Sequence, residues 1–360
     1  MRVVTVVGNR PQFVKAAAVS RRLREHHDEL LVHTGQHYDD DMSRVFFEEL
    51  ALPRADRELG VGSASAPVQT GRMLESLDQV LADARPDLVI VYGDTNSTLA
   101  GALAGAQVRA PVAHVEAGMR SFDWSMPEEL NRVLADHASA LLLCSTETAA
   151  RNLRSEGITA GVHIVGDAMA DVLLEMTPVA KERSNALKRE GVEPGRYLLV
   201  TAHRAGNVDD PARLGALVDL LEAVPSPVVF PVHPRTRARL DAAGLTARLE
   251  ANKGIRLSPP VGYLDLVALA ASARAILTDS GGLQKEAYLL GVPCITLRDT
   301  TEWVETVESG WNTLVDLSAD AALAALDREP PAERPELYGG GHAGERICEE
   351  IDAFACERSG

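Results

Sequence analysis

Short apolar runs alternate along this chain with longer stretches in which apolar residues recur at helical spacing. The first series of runs is RVVTVVG (2–8), ELLVHTG (29–35), DLVIVYGD (87–94), PVAHVEAG (111–118), ALLLCS (140–145) and VHIVGD (162–167). Between them lie amphipathic stretches such as KAAAVSRRLREHH and TGRMLESLDQVLADA. The runs are continuously apolar rather than alternating, which predicts strands buried on both faces. Strand, helix, strand repeated in this way predicts α/β architecture with parallel sheets. A second series begins near residue 197 with YLLVTAHR, PVVFPVHPR, GIRLSPPV, ARAILTDSGG and VPCITLRD. The polar stretch 176–196, which carries Gly and Pro, separates the two series and is the expected hinge. The expectation is two doubly wound domains, 1–175 and 176–343, facing each other across a cleft. A closing helix at 344–358 is expected to join the first.

Length supports that division, because 360 residues exceed what one core usually organises. The net charge of −16 argues against nucleic acid and against an anionic membrane surface as partners. A phosphorylated small molecule remains compatible, through a local cationic or helix-terminus site. No run approaches the roughly 18 apolar residues of a membrane span. The chain opens on a strand pattern rather than a signal peptide. The four cysteines, Cys144, Cys294, Cys348 and Cys356, form no C-x-x-C pair. They read as reduced, buried, structural thiols of a cytoplasmic protein.

In open parallel sheets, ligands bind beyond the carboxyl ends of the strands. Polar and ionisable residues gather at those ends. The first delivers GNRPQF, with Arg10 and, on the next helix, Lys15. The second delivers TGQHYDDD. The third gives Asp94, the fourth Glu116 and then Arg120, and MPEELNR opens a helix with Glu128. The later series delivers His203 and Arg204, His233, TDSGGLQKE and Arg298. Plain structural readings compete with the chemical ones. Asp94 suits an N-cap, and Glu128 follows Pro127 in an ordinary first helical turn. His203 and His233 suit satisfied core histidines. Ser280 suits an N-cap too, although Gly281 and Gly282 admit a phosphate at the helix start and Glu286 follows one turn later. Glu116 has no evident capping role, and a buried carboxylate is costly unless paired or used. His37 with Asp39, Asp40 and Asp41 reads as a solvated loop rather than a metal site. GNRPQF lacks the later glycines of a dinucleotide fingerprint.

Taken in order, GNRPQFVK, TGQHYD, VYGDTNSTLAGALA, HVEAGMRS, MPEELNR, TAHR, PVHPR and TDSGGLQKEA…GVPCITLRDTTEWVE resemble the non-hydrolysing UDP-N-acetylglucosamine 2-epimerase family, over roughly residues 2–316. The resemblance implies a glycosyltransferase-B-like fold of two Rossmann-like domains. It implies interconversion of UDP-GlcNAc and UDP-ManNAc by a homodimer, in the supply of polysaccharide precursors, with no metal or other cofactor. Asp94, Glu116, Glu128 and His203 match the family's catalytic positions. Ser280, Gly281 and Gly282 would hold phosphate, Glu286 the ribose, and Arg10 would reach the UDP from the first domain. Lys15, Arg120, Arg204, His233 and Arg298 are candidate further contacts.

The chain departs from the pattern in places. The family commonly has Glu three residues after the His of HR, where Gly206 stands here. Some members bind a second UDP-GlcNAc as activator near that Glu, so Gly206 speaks against such activation. The wording of GQHYD, QTGRML and MPEELNR is closer to the archaeal and diacetamido-uronate branch, where the substrate can be UDP-2,3-diacetamido-glucuronate. Close relatives there carry basic residues before MPEE, where Trp124 and Ser125 stand here. The alternatives are therefore that substrate, a hydrolysing epimerase that releases UDP, a glycosyltransferase, or a nucleotide-sugar sensor.

Overall fold

The computed structural model describes residues 1–36, 54–225 and 227–359. Two compact units divide the chain: Met1–Val172 with Glu336–Gly360, and Leu173–Pro335. The boundary falls inside the helix Ala168–Arg183, just ahead of the polar stretch 176–196.

The first unit is built on a seven-stranded sheet. Its strands are β1 (Arg2–Val7), β2 (Asp28–His33), β3 (Arg57–Glu58), β4 (Leu88–Tyr92), β5 (Val112–Ala117), β6 (Leu141–Cys144) and β7 (Val162–Ile164). They pair in parallel in the order β3-β2-β1-β4-β5-β6-β7. The chain winds outward from β1 to one edge, returns to the centre at β4, and winds to the other edge. That reversal leaves a crevice beyond the carboxyl ends of β1 and β4. Every residue of β4 is buried, as the apolar run predicts. Each buried Val, Ile or Leu contributes roughly 1.5–3 kcal/mol, so the central strands are the rigid base for what they carry. Gln12 laces the two strand ends across the reversal. Its Oε1 accepts the Gly8 N–H at 2.7 Å, and its Nε2 donates to the Tyr92 carbonyl at 2.6 Å. The helix Ala343–Ser359 packs on the helix Arg10–His26, and Asp171 accepts the Ala343 and Gly344 N–H groups at its start.

The second unit repeats the plan with six strands. They are β8 (Leu198–Thr201), β9 (Val228–Pro231), β10 (Ile255–Ser258), β11 (Ala275–Thr278), β12 (Cys294–Thr296) and β13 (Asn312–Leu314), in the order β10-β9-β8-β11-β12-β13. Alternate residues enter different cores. Leu198, Val200, Val228 and Phe230 pack in one, and Leu199, Val229 and Ile276 in another. This is why the runs read as continuous rather than alternating. The class is α/β with two Rossmann-like sheets.

Some expectations need correction. β3 and β13 lie outside the apolar runs, because two exposed charged residues and a three-residue strand are too short to make a run. The thiols are free, and Cys144 and Cys294 are buried, but Cys356 is exposed near the end of the last helix. No helix among the described residues is long and apolar enough to cross a membrane.

Candidate active site

In the first unit, the β1–β4 reversal and the end of β5 bring Lys15, Asp94 and Glu116 together. Glu116 sits in β5 at φ +74°, a conformation that non-glycine residues rarely adopt. The pairing of β5 with β6 slips by one residue there, which makes Glu116 a bulge. The bulge turns the carboxylate onto the Lys15 ammonium, and the resulting ion pair is mostly buried. Gly93 makes room for it: a Cβ there would lie 3.2 Å from Glu116 Oε2 and 3.3 Å from Lys15 Nζ. Burial works against the Lys15 charge, but Glu116, helped by Asp167 and Asp94, holds its pKa above the ordinary value. Small residues follow Glu116 for a packing reason. A Cβ on Gly118 would lie 2.3 Å from the Ala149 carbonyl oxygen.

Asp94 is not an N-cap. Thr95 caps the helix Asn96–Gln107, in a reciprocal box with Thr98. The Asp94 carboxylate instead pairs with Arg132, from the helix Pro127–Ala138. Burial raises the Asp94 pKa most. Arg132 and Lys15 oppose that rise, and Glu116 and Glu128 reinforce it. Asn131 donates to the Asp94 carbonyl at 3.0 Å. Glu128 is exposed in the first turn of its helix, while Glu129 is buried. Glu129 accepts the Ser121 and Phe122 N–H groups, both at 2.9 Å. Burial raises the Glu129 pKa, but those bonds and Arg132 bring it below the ordinary value. Arg132 and Glu129 are part of MPEELNR, yet sequence reading gave them no role, because their partners lie on other elements. Arg120 also needs correction as a candidate contact. Its buried guanidinium is spent on Asp136 and Glu156, each at 2.7 Å, and on the Met119 carbonyl. Arg10 opens its helix just after β1. His37 and Asp39–Asp41 lie outside the described residues.

In the second unit, Asp279 follows β11 and is fully buried. It accepts the backbone N–H groups of His203 and Arg204 at 3.0 Å, and the Asn207 amide at 3.2 Å. The loop after β8 is thereby tied to the loop after β11. His203 is no core histidine, because its side chain is 41% exposed. Its Nδ1 lies 3.4 Å from Asp279, and its ring is 5.6 Å from that of His233. His233 is exposed and caps its helix, accepting the Arg235 N–H at 3.2 Å. Burial, then His203 and Arg235, lowers its pKa.

Ser280 does cap the helix Gly281–Leu290, through the Leu283 N–H. The two glycines have no such structural account. Neither has positive φ, and a Cβ on either would meet nothing nearer than 3.5 Å. Nothing in the protein requires glycine there, and the first-turn N–H groups have no partner within the helix. Glu286 lies one turn further on, half-buried. Glu302 receives both Arg298, at 2.9 Å, and Arg204, at 3.4 Å, beside Gly281. Burial raises the Glu302 pKa, but the two arginines bring it below the ordinary value. With Arg213, Asp299 and Asp316 beside them, three guanidinium groups meet three carboxylates in this corner. A cavity of about 450 Å³ opens here, lined by Arg204, Gly206, Arg213, Arg298, Asp299 and Asp316 among others. Among the described residues, no cluster of His, Cys, Asp or Glu is arranged to hold a metal.

Asp94 and Glu116 thus stand near Lys15 at one sheet reversal, and a glycine-led helix start stands at the other. The family model for UDP-N-acetylglucosamine 2-epimerase matches residues 21–352. A UDP-N-acetylglucosamine 2-epimerase homolog of Methanococcus maripaludis is 47% identical over 98% of this chain and 99% of its own length. The UDP-2,3-diacetamido-2,3-dideoxy-D-glucuronate 2-epimerase of Pseudomonas aeruginosa is 43% identical, over 98% and 99%. The crystal structure of Methanocaldococcus jannaschii UDP-GlcNAc 2-epimerase in complex with UDP-GlcNAc and UDP matches with a TM-score of 0.85 and 42% identity, over 98% of this chain and 100% of that one. The similarity runs through both units, and the chain belongs to the UDP-N-acetylglucosamine 2-epimerase family.

Proposed function

We propose that the protein reversibly inverts C2 of a UDP-2-acetamido sugar, converting UDP-GlcNAc to UDP-ManNAc. The observation that carries this reading is the grouping of Asp94 and Glu116 around Lys15 at one sheet reversal. The C2 proton is not acidic enough for simple abstraction, so the reaction runs by elimination. A carboxylate takes the C2 proton as the C1–O bond breaks and its electron pair leaves with UDP. The product is a 2-acetamidoglucal. UDP then adds back at C1, and an acid delivers a proton to the opposite face of C2. One group must accept a proton and another must donate one. Asp94, whose pKa is raised by burial and lies beside a second carboxylate, suits such a pair. Glu128 and His203 complete the proposed ionisable set. Positive charge that builds at C1 is stabilised by the carboxylates. The departing diphosphate is held by Ser280 and the N–H groups of Gly281 and Gly282, with Arg10, Arg204 and Arg298 as cations and Glu286 on the ribose. No step in this scheme calls for a nicotinamide or a metal.

The first experiment is incubation with UDP-GlcNAc in D2O, followed by proton NMR. Loss of the C2 proton signal with growth of UDP-ManNAc is the expected result. Free UDP with N-acetylmannosamine would replace this reading with a hydrolysing one. A second substrate, UDP-2,3-diacetamido-glucuronate, is favoured by one observation: a relative named for it is 43% identical end to end. The same assay with that sugar decides between them. We further propose a cytoplasmic homodimer, for which light scattering of the purified protein is the check.

A further inference from the structure

Two residues before Glu116, the His114 side chain is wholly buried, as is that of Asp136 on the helix Pro127–Ala138. The ring Nδ1 lies 2.7 Å from Asp136 Oδ1, and Nε2 lies 2.7 Å from the Gly93 carbonyl oxygen. Asp136 also accepts the Gly118 N–H, at 3.1 Å to Oδ2 and 3.3 Å to Oδ1, and the Arg120 Nη1 at 2.7 Å. Arg120 is closed off by Glu156. His137 approaches Glu156 at 3.6 Å from a half-exposed position, and Cys144 is kept neutral by burial, which pushes its thiol up to about 12.

One buried unit therefore holds the chain at three points. It grips the residue just before Asp94, and the residues two before and two after Glu116. Glu116 occupies a backbone conformation that a non-glycine residue leaves unless its surroundings fix it. We propose that the His114–Asp136 pair is the positioning element for Asp94 and Glu116, fixing the Gly93 carbonyl ahead of Asp94 and the bulge that presents Glu116. A carbonyl oxygen only accepts, so Nε2 carries a proton. The Nδ1···Oδ1 contact needs a second proton between the two atoms. The pair is thus bonded at both ring nitrogens, and neither can rotate away without leaving a buried group unmet. The proposal rests on the reading of Asp94 and Glu116 as catalytic.

The test uses the full-length chain carrying His114→Gln or Asp136→Asn, assayed for turnover of the UDP-sugar and for UDP binding. Misplaced carboxylates should lower kcat by about ten- to a hundredfold, with KM and the UDP Kd within about twofold of the parent. Folded variants with unchanged kcat overturn the proposal, as does an equal loss of kcat and UDP affinity. Glu116→Gln is run alongside. If it keeps full turnover, the catalytic reading fails and takes this proposal with it. If it loses turnover while the His114 and Asp136 variants keep theirs, this proposal alone fails. If neither variant folds, nitrogen-15 NMR of the parent decides. Slowly exchanging protons on both His114 ring nitrogens support the pairing, and absence of either overturns it.

Discussion

The two units share one strand order and one reversal, yet they carry different groups at the reversal. The first presents side-chain charge: Asp94 on Arg132, Glu116 on Lys15, with Glu116 in a left-handed conformation. The second presents backbone donors and guanidinium groups on a relaxed loop tied down by one buried carboxylate, Asp279. Their glycines differ in the same way. Gly118 is dictated by its φ of +78° and by the Ala149 carbonyl, whereas Gly281 and Gly282 are dictated by nothing in the protein. The sheet sets where a ligand can go, and the loop residues set what can be done to it.

The comparison breaks most visibly if the first unit's charges are neutralised. Glu116→Gln and Asp94→Asn should each lower kcat by about a thousandfold, within the usual range for a lost acid or base, and leave UDP binding by calorimetry nearly unchanged. Equal losses of UDP affinity in these variants would sink the division of roles between the units. Next in size is Gly118→Ala, which should cost about 2–3 kcal/mol of folding stability in urea titrations, because the new methyl meets a carbonyl on a backbone already at positive φ. An unchanged midpoint would mean that the bulge relaxes freely and that nothing holds Glu116 in place.

The sequence carried the plan of both sheets, because strands buried on two faces leave continuous apolar runs. It also exposed Asp94 and Glu116, since a carboxylate closing such a run is conspicuous. What it hid were the groups that hold the candidate residues in place. Arg132 is 38 residues from Asp94, and Asp279 is 76 from His203. Each looks like an ordinary helix or loop residue until the fold supplies its partner. Arg120 misled for the converse reason: it stands four residues after Glu116, and only the fold reveals that Asp136 and Glu156 occupy it. The N-cap reading of Asp94 failed by one position, because Thr95 accepts the Thr98 N–H and donates its own N–H to Thr98 Oγ1, which leaves Asp94 outside the cap.

Gly281→Ala sharpens the contrast in the opposite unit. The backbone tolerates alanine, and alanine favours a helix by roughly 0.5–1 kcal/mol, so thermal stability should hold or rise slightly. The methyl would occupy the space over the helix start, so the UDP Kd should weaken about tenfold, or ~1.4 kcal/mol. Calorimetry that finds unaltered UDP affinity would remove the helix start from the binding site.

The smallest effect concerns stability and pH, and its sign differs between two neighbouring carboxylates. Asp94 has its pKa raised above the ordinary 3.8, chiefly by burial. Such a group adds no penalty while protonated, and it destabilises the fold as pH rises through its folded pKa. Asp94→Asn removes that penalty. The variant should be slightly more stable than the parent at pH 7, with the difference fading towards zero as pH falls below 3.8. Glu129 is the reverse, because despite the cost of burial its pKa is brought below the ordinary 4.5 by the Ser121 and Phe122 donors and Arg132. Its stabilisation is full above pH 4.5 and is lost as pH falls through the lower folded value. Glu129→Gln should therefore be less stable than the parent at pH 7, with the gap closing in acid. Urea midpoints from pH 7 down to 3 read both differences. If Asp94→Asn loses stability at pH 7 as Glu129→Gln does, then the unpaired Arg132 outweighs the relieved carboxylate, and Asp94 is a structural partner of Arg132. Opposite signs would mean that the fold carries Asp94 at a cost, beside a Glu129 that helps to hold it together.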